Sequence, residues 1–398
     1  MLRVLQINAG SENCGGVSAI LLNLYRHIDR TRVQFDFLTP NKTTYAMYRE
    51  EIEGMGGHIY ELGIDSSKLP GKAKLYVALR EFFRTHRYDI IHINSGVLLF
   101  NSVVASACHR FTRAKLFVHA HANGGRSASK EELSEPLKKF LVARTDVSLA
   151  CSASAAEYIF TKKEAKERTV ILKNGIDARQ FAFQSKVREE KRRELGLSEN
   201  FVVGCVGRFS REKNQEFLIE VLSCMRKLQI ACIDGNMANN GAGLKEVPPP
   251  NPDACREAKL LFVGGGSTED EVRAKAREMG LLDNVIFAGP QADVAPYYMT
   301  MDAYCQPSTH EGFGICCLEA EASGLSVVTS DRVPEDADIA GVMQRLPLEG
   351  GPEAFAYALL TAPKREREEA WKKVGEAGFD IVTSAKQLLE LYEEAARR

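Results

Sequence analysis

Residues 201–214 read FVVGCVGRFSREKN: an apolar run with no polar alternation, a glycine, then a charged loop. A strand covered on both faces needs such a continuous run, and open α/β sheets bind ligands in the loops at the carboxyl ends of such strands. Downstream, the same signature recurs at 259–264, 285–289, 303–306 and 326–330. Upstream it recurs at 2–9 (LRVLQINA), 33–39, 58–62, 88–94 (YDIIHIN), 115–120 (KLFVHA), 147–151 and 169–173. Between these runs lie helical periods, as in 17–29, where Ile20, Leu21, Leu24, Tyr25 and Ile28 share one face. Strands alternating with helices of that length predict α/β architecture, with parallel sheets and crossover helices on both faces. The charged helix predicted at 184–196 hands over to 201–207, where the pattern starts afresh. Two Rossmann-like doubly wound domains are therefore expected, at 1–184 and 185–379. A C-terminal helix, 380–398, has no following strand and is expected to pack back across the domains. Residues 232–256, rich in Gly, Asn and Pro, read as an exposed, mobile insertion loop.

The bulk properties agree. A chain of 398 residues holds two or three domains of about 150 residues. It can bury roughly three quarters of its unfolded surface, enough for two cores. With 52 Lys and Arg against 53 Asp and Glu, the formal charge is −1, which argues against general nucleic-acid binding. The apolar start of the chain is too short for a signal peptide, and no run of 18 apolar residues would span a bilayer. A cytoplasmic protein is expected. The ten cysteines (14, 108, 151, 205, 224, 232, 255, 305, 316 and 317) form no Cys-x-x-Cys pair and read as buried reduced thiols.

Four stretches carry chemistry. After the first strand, Gly15-Gly16 opens a helix, allowing close backbone approach and offering unpaired amides to an anion. After 201–207, Arg208 and Lys213 are two cations suited to a diphosphate, one a planar fork and one a point charge. The third stretch is His310-Glu311-Gly312-Phe313-Gly314-Ile315, with Glu319 four residues further on a helix. Its amides from Gly312 to Ile315 suit an anion, and its two carboxylates suit the hydroxyls of a sugar and a ribose. The fourth, His119-Ala120-His121, ends the strand 115–120. Its imidazoles read better as a polar pair lining a cleft than as metal ligands, with His92 and Asn94 as structural neighbours.

Together these residues resemble the family 4 glycosyltransferases, retaining enzymes of the GT-B fold. The resemblance rests on Glu311-x7-Glu319, on Gly15-Gly16, on Gly207-Arg208 with Lys213-Asn214, and on Lys173-Asn174-Gly175-Ile176-Asp177 followed by Phe181. It runs from residue 2 to about 345, with a texture most like bacterial enzymes of capsular and exopolysaccharide assembly. It implies that two domains face each other across a cleft and that a nucleoside-diphosphate-sugar, of UDP or GDP type, is the donor. Arg208 and Lys213 would hold the diphosphate, Glu311 the donor sugar, beside the amides of Gly312, Phe313, Gly314 and Ile315, and Glu319 the ribose. Gly15 and Gly16 would approach the phosphate and acceptor, and Gln291 would lie near the base. His121 would stand near the reacting sugar, with His119 as second choice. His121, Arg208, Lys213 and Glu311 are thus the expected catalytic set, without metal or cofactor; Asp336-Ala337-Asp338 has a metal-site spacing but lies in a late loop. The acceptor would be a saccharide or lipid-linked saccharide. The helical stretch 72–87, basic and bearing Leu75, Leu79, Phe82 and Phe83, would then allow weak peripheral contact with the inner membrane face, although a crossover helix with a solvated basic face is the favoured reading. Competing readings are a sugar-nucleotide epimerase or hydrolase of the same architecture, and a non-catalytic nucleotide-sugar-binding protein.

Overall fold

The computed structural model describes residues 1–9, 16–40, 42, 44–121, 134–233 and 252–398. They divide into two compact units, 1–177 with 378–398, and 178–377.

The first unit is built on seven parallel strands among the described residues. They are β1 (Leu2–Asn8), β2 (Val33–Thr39), β3 (Ile59–Glu61), β4 (Ile90–Asn94), β5 (Lys115–Ala120), β6 (Val147–Ala150) and β7 (Val170–Ile171). Their order is β3-β2-β1-β4-β5-β6-β7, so the sheet reverses direction of growth between β1 and β4. Every residue of β4 is buried, as a strand with helices on both faces must be. The helix Gly16–His27 lays Ile20, Leu21, Leu24 and Tyr25 into the core. Ile28 lies just past its end but stays buried, its amide bonded to the Leu24 carbonyl at 2.8 Å. On the opposite face Leu75, Leu79, Phe83 and Val104 pack against Ile91, Ile93 and Val118.

The helix Leu69–Thr85 therefore spends Leu75, Leu79, Phe82 and Phe83 on the core. Lys72, expected on a solvated basic face, is buried instead. Its ammonium donates to the carbonyls of Ser66 and Ser67, at 2.6 and 3.1 Å, and closes the loop before the helix. Among the described residues no helix is long and apolar enough to cross a membrane.

The C-terminal helix Ile381–Arg397 clusters with this first unit. Asp380 caps it by accepting from the Thr383 amide at 3.1 Å, and Ile381, Ala385, Leu388, Leu389 and Tyr392 form its buried face. The chain re-enters through a bridge between Ile176 and Asp380.

The second unit repeats the plan with β8 (Phe201–Val206), β9 (Ala258–Val263), β10 (Val285–Phe287), β11 (Ala303–Gln306), β12 (Ser326–Ser330) and β13 (Met343–Leu346). The order β10-β9-β8-β11-β12-β13 reverses between β8 and β11. Val203, Cys205, Leu260, Phe262 and Val328 meet Leu218, Leu222, Phe355 and Leu359 in its core. Two Rossmann-like parallel sheets are thus present, and each strand read from the sequence is found within two residues of its expected ends. The exception is β13, which the sequence reading missed. It is a half-exposed edge strand, MQRL, and carries no apolar run to betray it.

Residues 232–233 continue the helix Gln215–Ile233, and 252–255 form a helical turn, so both ends of the expected 232–256 loop are ordered elements. The rest of that loop lies outside the described residues. Of the eight cysteines whose side chains are described, all free, five are buried, but Cys255 is exposed and Cys224 and Cys316 are partly so. The expectation of uniformly buried thiols is corrected to that extent.

Candidate active site

In the second unit the loops after β8 and β11 stand side by side, because those strands are neighbours at the point where the sheet reverses. This is where an open α/β sheet forms a crevice. Main-chain and side-chain bonds lock the two loops together. The Thr309 amide donates to the Glu212 carbonyl at 2.8 Å, and Asn214 donates to the Pro307 carbonyl at 3.1 Å. Asn214 has φ 55°, alone among the described non-glycine residues in being left-handed, a conformation that Asn tolerates better than most. Nearby, a Cβ on Gly264 would lie 2.1 Å from the Gly207 carbonyl oxygen, so only glycine fits between β8 and β9 there.

Across this junction the Lys213 ammonium meets the Glu311 carboxylate at 2.5 Å. Burial pulls the lysine's pKa down, but attraction to Glu311 more than reverses it, and the group stays charged. The same carboxylate oxygen accepts from the Gln306 amide and, at 3.4 Å, from the Ser308 hydroxyl; its partner oxygen accepts from the Gly312 amide at 3.2 Å. Gln306 is itself held by the Tyr304 hydroxyl at 2.7 Å. Glu311 is thus fixed by four donors, from two loops and the end of β11.

The helix Ile315–Ala322 begins at Gly314, whose φ of 95° turns the chain into it. Glu319, on its second turn, accepts from the Tyr298 hydroxyl at 2.7 Å. Burial pushes its carboxyl up to about 7, with the Tyr298 bond and the Lys213 charge opposing. Tyr298 is held in turn because three guanidiniums cap the helix that carries it. Arg188 donates to the Met301 carbonyl at 2.7 Å, Arg192 to Thr300 at 2.8 Å, and Arg367 to Tyr298 at 3.1 Å. Arg188 and Arg192 come from the charged stretch 184–196, which therefore ties down the site's frame.

Of the residues expected in this unit, Lys213 and Glu311 on adjacent loops and Glu319 on the helix Ile315–Ala322 form one electrostatic group, with the loop 312–314 that leads into that helix beside them. Arg208 follows Gly207 on the β8 loop and is exposed; among the described residues it enters no ion pair within 4 Å. Gln291 turns its amide back onto the Ala288 carbonyl at 2.6 Å. Gln306, Tyr298 and Tyr304 were missed by sequence reading. A polar residue ending a buried strand was the available signal for Gln306; nothing local marked the tyrosines.

In the first unit, Gly15 lies outside the described residues. Gly16 opens its helix, and a Cβ there would meet nothing within 4 Å. Asn8, ending β1, donates to Ser18 on that helix and to Tyr45, at 2.8 and 3.0 Å. His121 follows β5 and is buried, its Nε2 lying 3.2 Å from Asn94 Oδ1 at the end of β4. Its ring stands 3.9 Å from that of His119, and His119 stacks 5.5 Å from His92. Burial pushes His121 down to about 4 and His92 to about 3, so both are neutral. Among the described residues no group of three His, Cys, Asp or Glu side chains is arranged to hold a metal ion.

Residues 15–175 match the model of the glycosyl transferase 4-like domain, and residues 187–344 that of glycosyl transferases group 1. Together with the paired sheets, these matches make the protein a glycosyltransferase of the GT-B type. It is similar to the candidate glycosyltransferase EpsF of Bacillus subtilis, 26% identical over 98% of this chain and 96% of that protein. It is 28% identical, over 48% of this chain and 47% of the relative, to the lipopolysaccharide core biosynthesis mannosyltransferase LpsB of Rhizobium meliloti. Among solved structures, Anabaena HepE in complex with UDP-glucose superposes with a TM-score of 0.67. It is 20% identical, over 99% of this chain and 100% of that one.

Proposed function

We propose that the protein moves a sugar from a nucleoside-diphosphate-sugar to a hydroxyl of a saccharide or lipid-linked saccharide, in the assembly of a bacterial surface polysaccharide. The observation that carries the reading is the Lys213–Glu311 pair, held by Gln306, Ser308 and Gly312 where the second sheet reverses. A cation fixed there is available to a diphosphate, while the carboxylate on the same loop takes sugar hydroxyls. The names of EpsF and LpsB and the UDP-glucose bound by HepE support this choice of substrates.

Cleaving the sugar–phosphate bond builds oxocarbenium character on the sugar and negative charge on the leaving diphosphate. Lys213, Arg208 and the amides from Gly312 to Ile315 would stabilise that charge without reorganising, which lowers the barrier. Glu319 would take the ribose hydroxyls, and Gly16 and His121 would serve the reacting end. The reading includes retention of the anomeric configuration, with the departing phosphate receiving the acceptor proton, and activity without a metal ion.

The test is a thermal-shift screen of nucleotide sugars, followed by transfer assays in chelator with the best donor. UDP- or GDP-sugars at a hundred times their Kd should stabilise the fold by about 2.7 kcal/mol. Glu311→Ala and Lys213→Ala should each lose most transfer while remaining folded. Near-wild-type turnover in both would remove the site; donor hydrolysis or epimerisation without acceptor would replace the reaction.

A further inference from the structure

The first unit buries a chain of polar side chains that leads to His121. The Tyr392 hydroxyl, from the C-terminal helix, lies 2.9 Å from Gln6 Nε2 and 2.6 Å from His92 Nδ1. Gln6 Oε1 accepts from Asn94 Nδ2 at 2.9 Å, and Asn94 Oδ1 faces His121 Nε2 at 3.2 Å. Such a chain could in principle run in either direction, since amides and imidazoles can exchange donor and acceptor ends.

One contact removes the ambiguity. The atom of Asn94 that faces Gln6 also lies 3.0 Å from the main-chain carbonyl oxygen of His92. A carbonyl cannot donate, so that atom is the amide nitrogen, and the carbonyl end of Asn94 must face His121. His121 Nε2 then has to be the donor. Burial keeps the ring neutral, with a single proton, so Nδ1 is left as a bare lone pair. Among the described residues Nδ1 is buried and completes no hydrogen bond.

We propose that Asn94 is the positioning residue that locks His121 in its Nε2–H form, so that Nδ1 accepts a hydrogen bond from a substrate hydroxyl. The assignment rests on the glycosyl-transfer reading only for what the partner belongs to. The chemistry of the partner follows from the ring: a sugar hydroxyl can donate to Nδ1, whereas an ionised phosphate oxygen cannot. Gln6 and Tyr392 hold the second amide hydrogen of Asn94, so the C-terminal helix supports a group at the end of β5 through three hydrogen bonds. Asn174 also stands beside His121, close enough to favour the protonated ring against burial, although its Oδ1 completes no well-formed hydrogen bond among the described residues. It is the acceptor that the opposite tautomer would use.

The test is long-range proton–nitrogen correlation NMR on the nitrogen-15-labelled full chain at pH 7, with the ring assigned by its disappearance in His121→Gln. The expected spectrum has a protonated Nε2 and a bare Nδ1; a protonated Nδ1 overturns the assignment. Asn94→Leu should abolish the preference for the Nε2–H form and lower transfer roughly tenfold, the worth of one hydrogen bond, with UDP binding unchanged. An unaltered tautomer in that variant also overturns it. Should the wild-type spectrum be as expected while no donor supports transfer, the reaction proposed above fails and the tautomer assignment stands.

Discussion

Replacing Lys213 by Met and Glu311 by Gln, singly and together, measures whether the frame around the junction of β8 and β11 is a coupled unit. Two unit charges at about 4 Å attract by about 4 kcal/mol at an effective dielectric near 20. Desolvation offsets most of that, since the Lys213 and Glu311 side chains keep only 23% and 12% of their exposure. In Lys213→Met the carboxylate stays against Gln306 and Gly312 with no counter-charge. A loss of about 3 kcal/mol is expected, the low end for a broken buried pair, because some water reaches the site. Glu311→Gln keeps an amide oxygen for Gly312 and leaves an ammonium that turns to solvent, so about 1 to 2 kcal/mol is expected. The double variant should be less damaged than the sum of the two by about 1 to 2 kcal/mol. Urea unfolding at pH 7, compared through midpoints at constant m, reads each value. Losses that add to within about 0.5 kcal/mol would show that the two side chains do not depend on each other. Glu311 would then not be held in place by Lys213.

Three further outcomes follow from the same geometry. Tyr392→Phe strips Gln6 Nε2 and His92 Nδ1 of a buried partner, and should cost about 1 to 3 kcal/mol in urea unfolding; a neutral effect would mean the polar chain does not stabilise the first unit. Glu321 accepts from the Ile339 and Ala340 amides at 3.0 Å, and burial pushes its carboxyl up to about 8. The native state therefore holds a proton that the unfolded chain has released, so stability falls by about 1.4 kcal/mol per pH unit between about pH 5 and 8. Glu321→Gln, which keeps an acceptor for those amides, should reduce the slope of stability against pH by that amount; an unchanged slope would refute the assignment. Gly314→Ala places a Cβ 3.3 Å from Val333 Cγ1 at a φ of 95° and should cost about 1 to 2 kcal/mol; it should also weaken UDP binding, read by calorimetry, through displacement of the helix start.

Much of the candidate site was legible because its charged residues sit in short, continuous motifs. Gly207-Arg208, Lys213-Asn214 and Glu311 to Glu319 each follow an apolar strand, and the pattern alone puts them in loops or on a helix start. What holds them was not legible. Gln306 and Tyr304 on β11, Tyr298 on the helix Ala295–Thr300 and Arg188 on the helix Ser185–Glu194 reach the site from three elements, and none belongs to a recognisable motif. His92 and Asn94 read only as neighbours of a cleft, because the carbonyl that orients Asn94 has no signature in the residue string.

The order of apolar runs and helical periods determined two Rossmann-like parallel sheets, since a strand covered on both faces must be apolar throughout. The same runs could not determine the order of strands within a sheet. Only the tertiary structure set β8 beside β11, brought Lys213 to Glu311 across 98 positions of sequence, and inserted Tyr392 beside Gln6 and His92. Periodicity is a property of neighbours along the chain, whereas a charge or a hydrogen bond responds to whatever lies within a few ångströms in space.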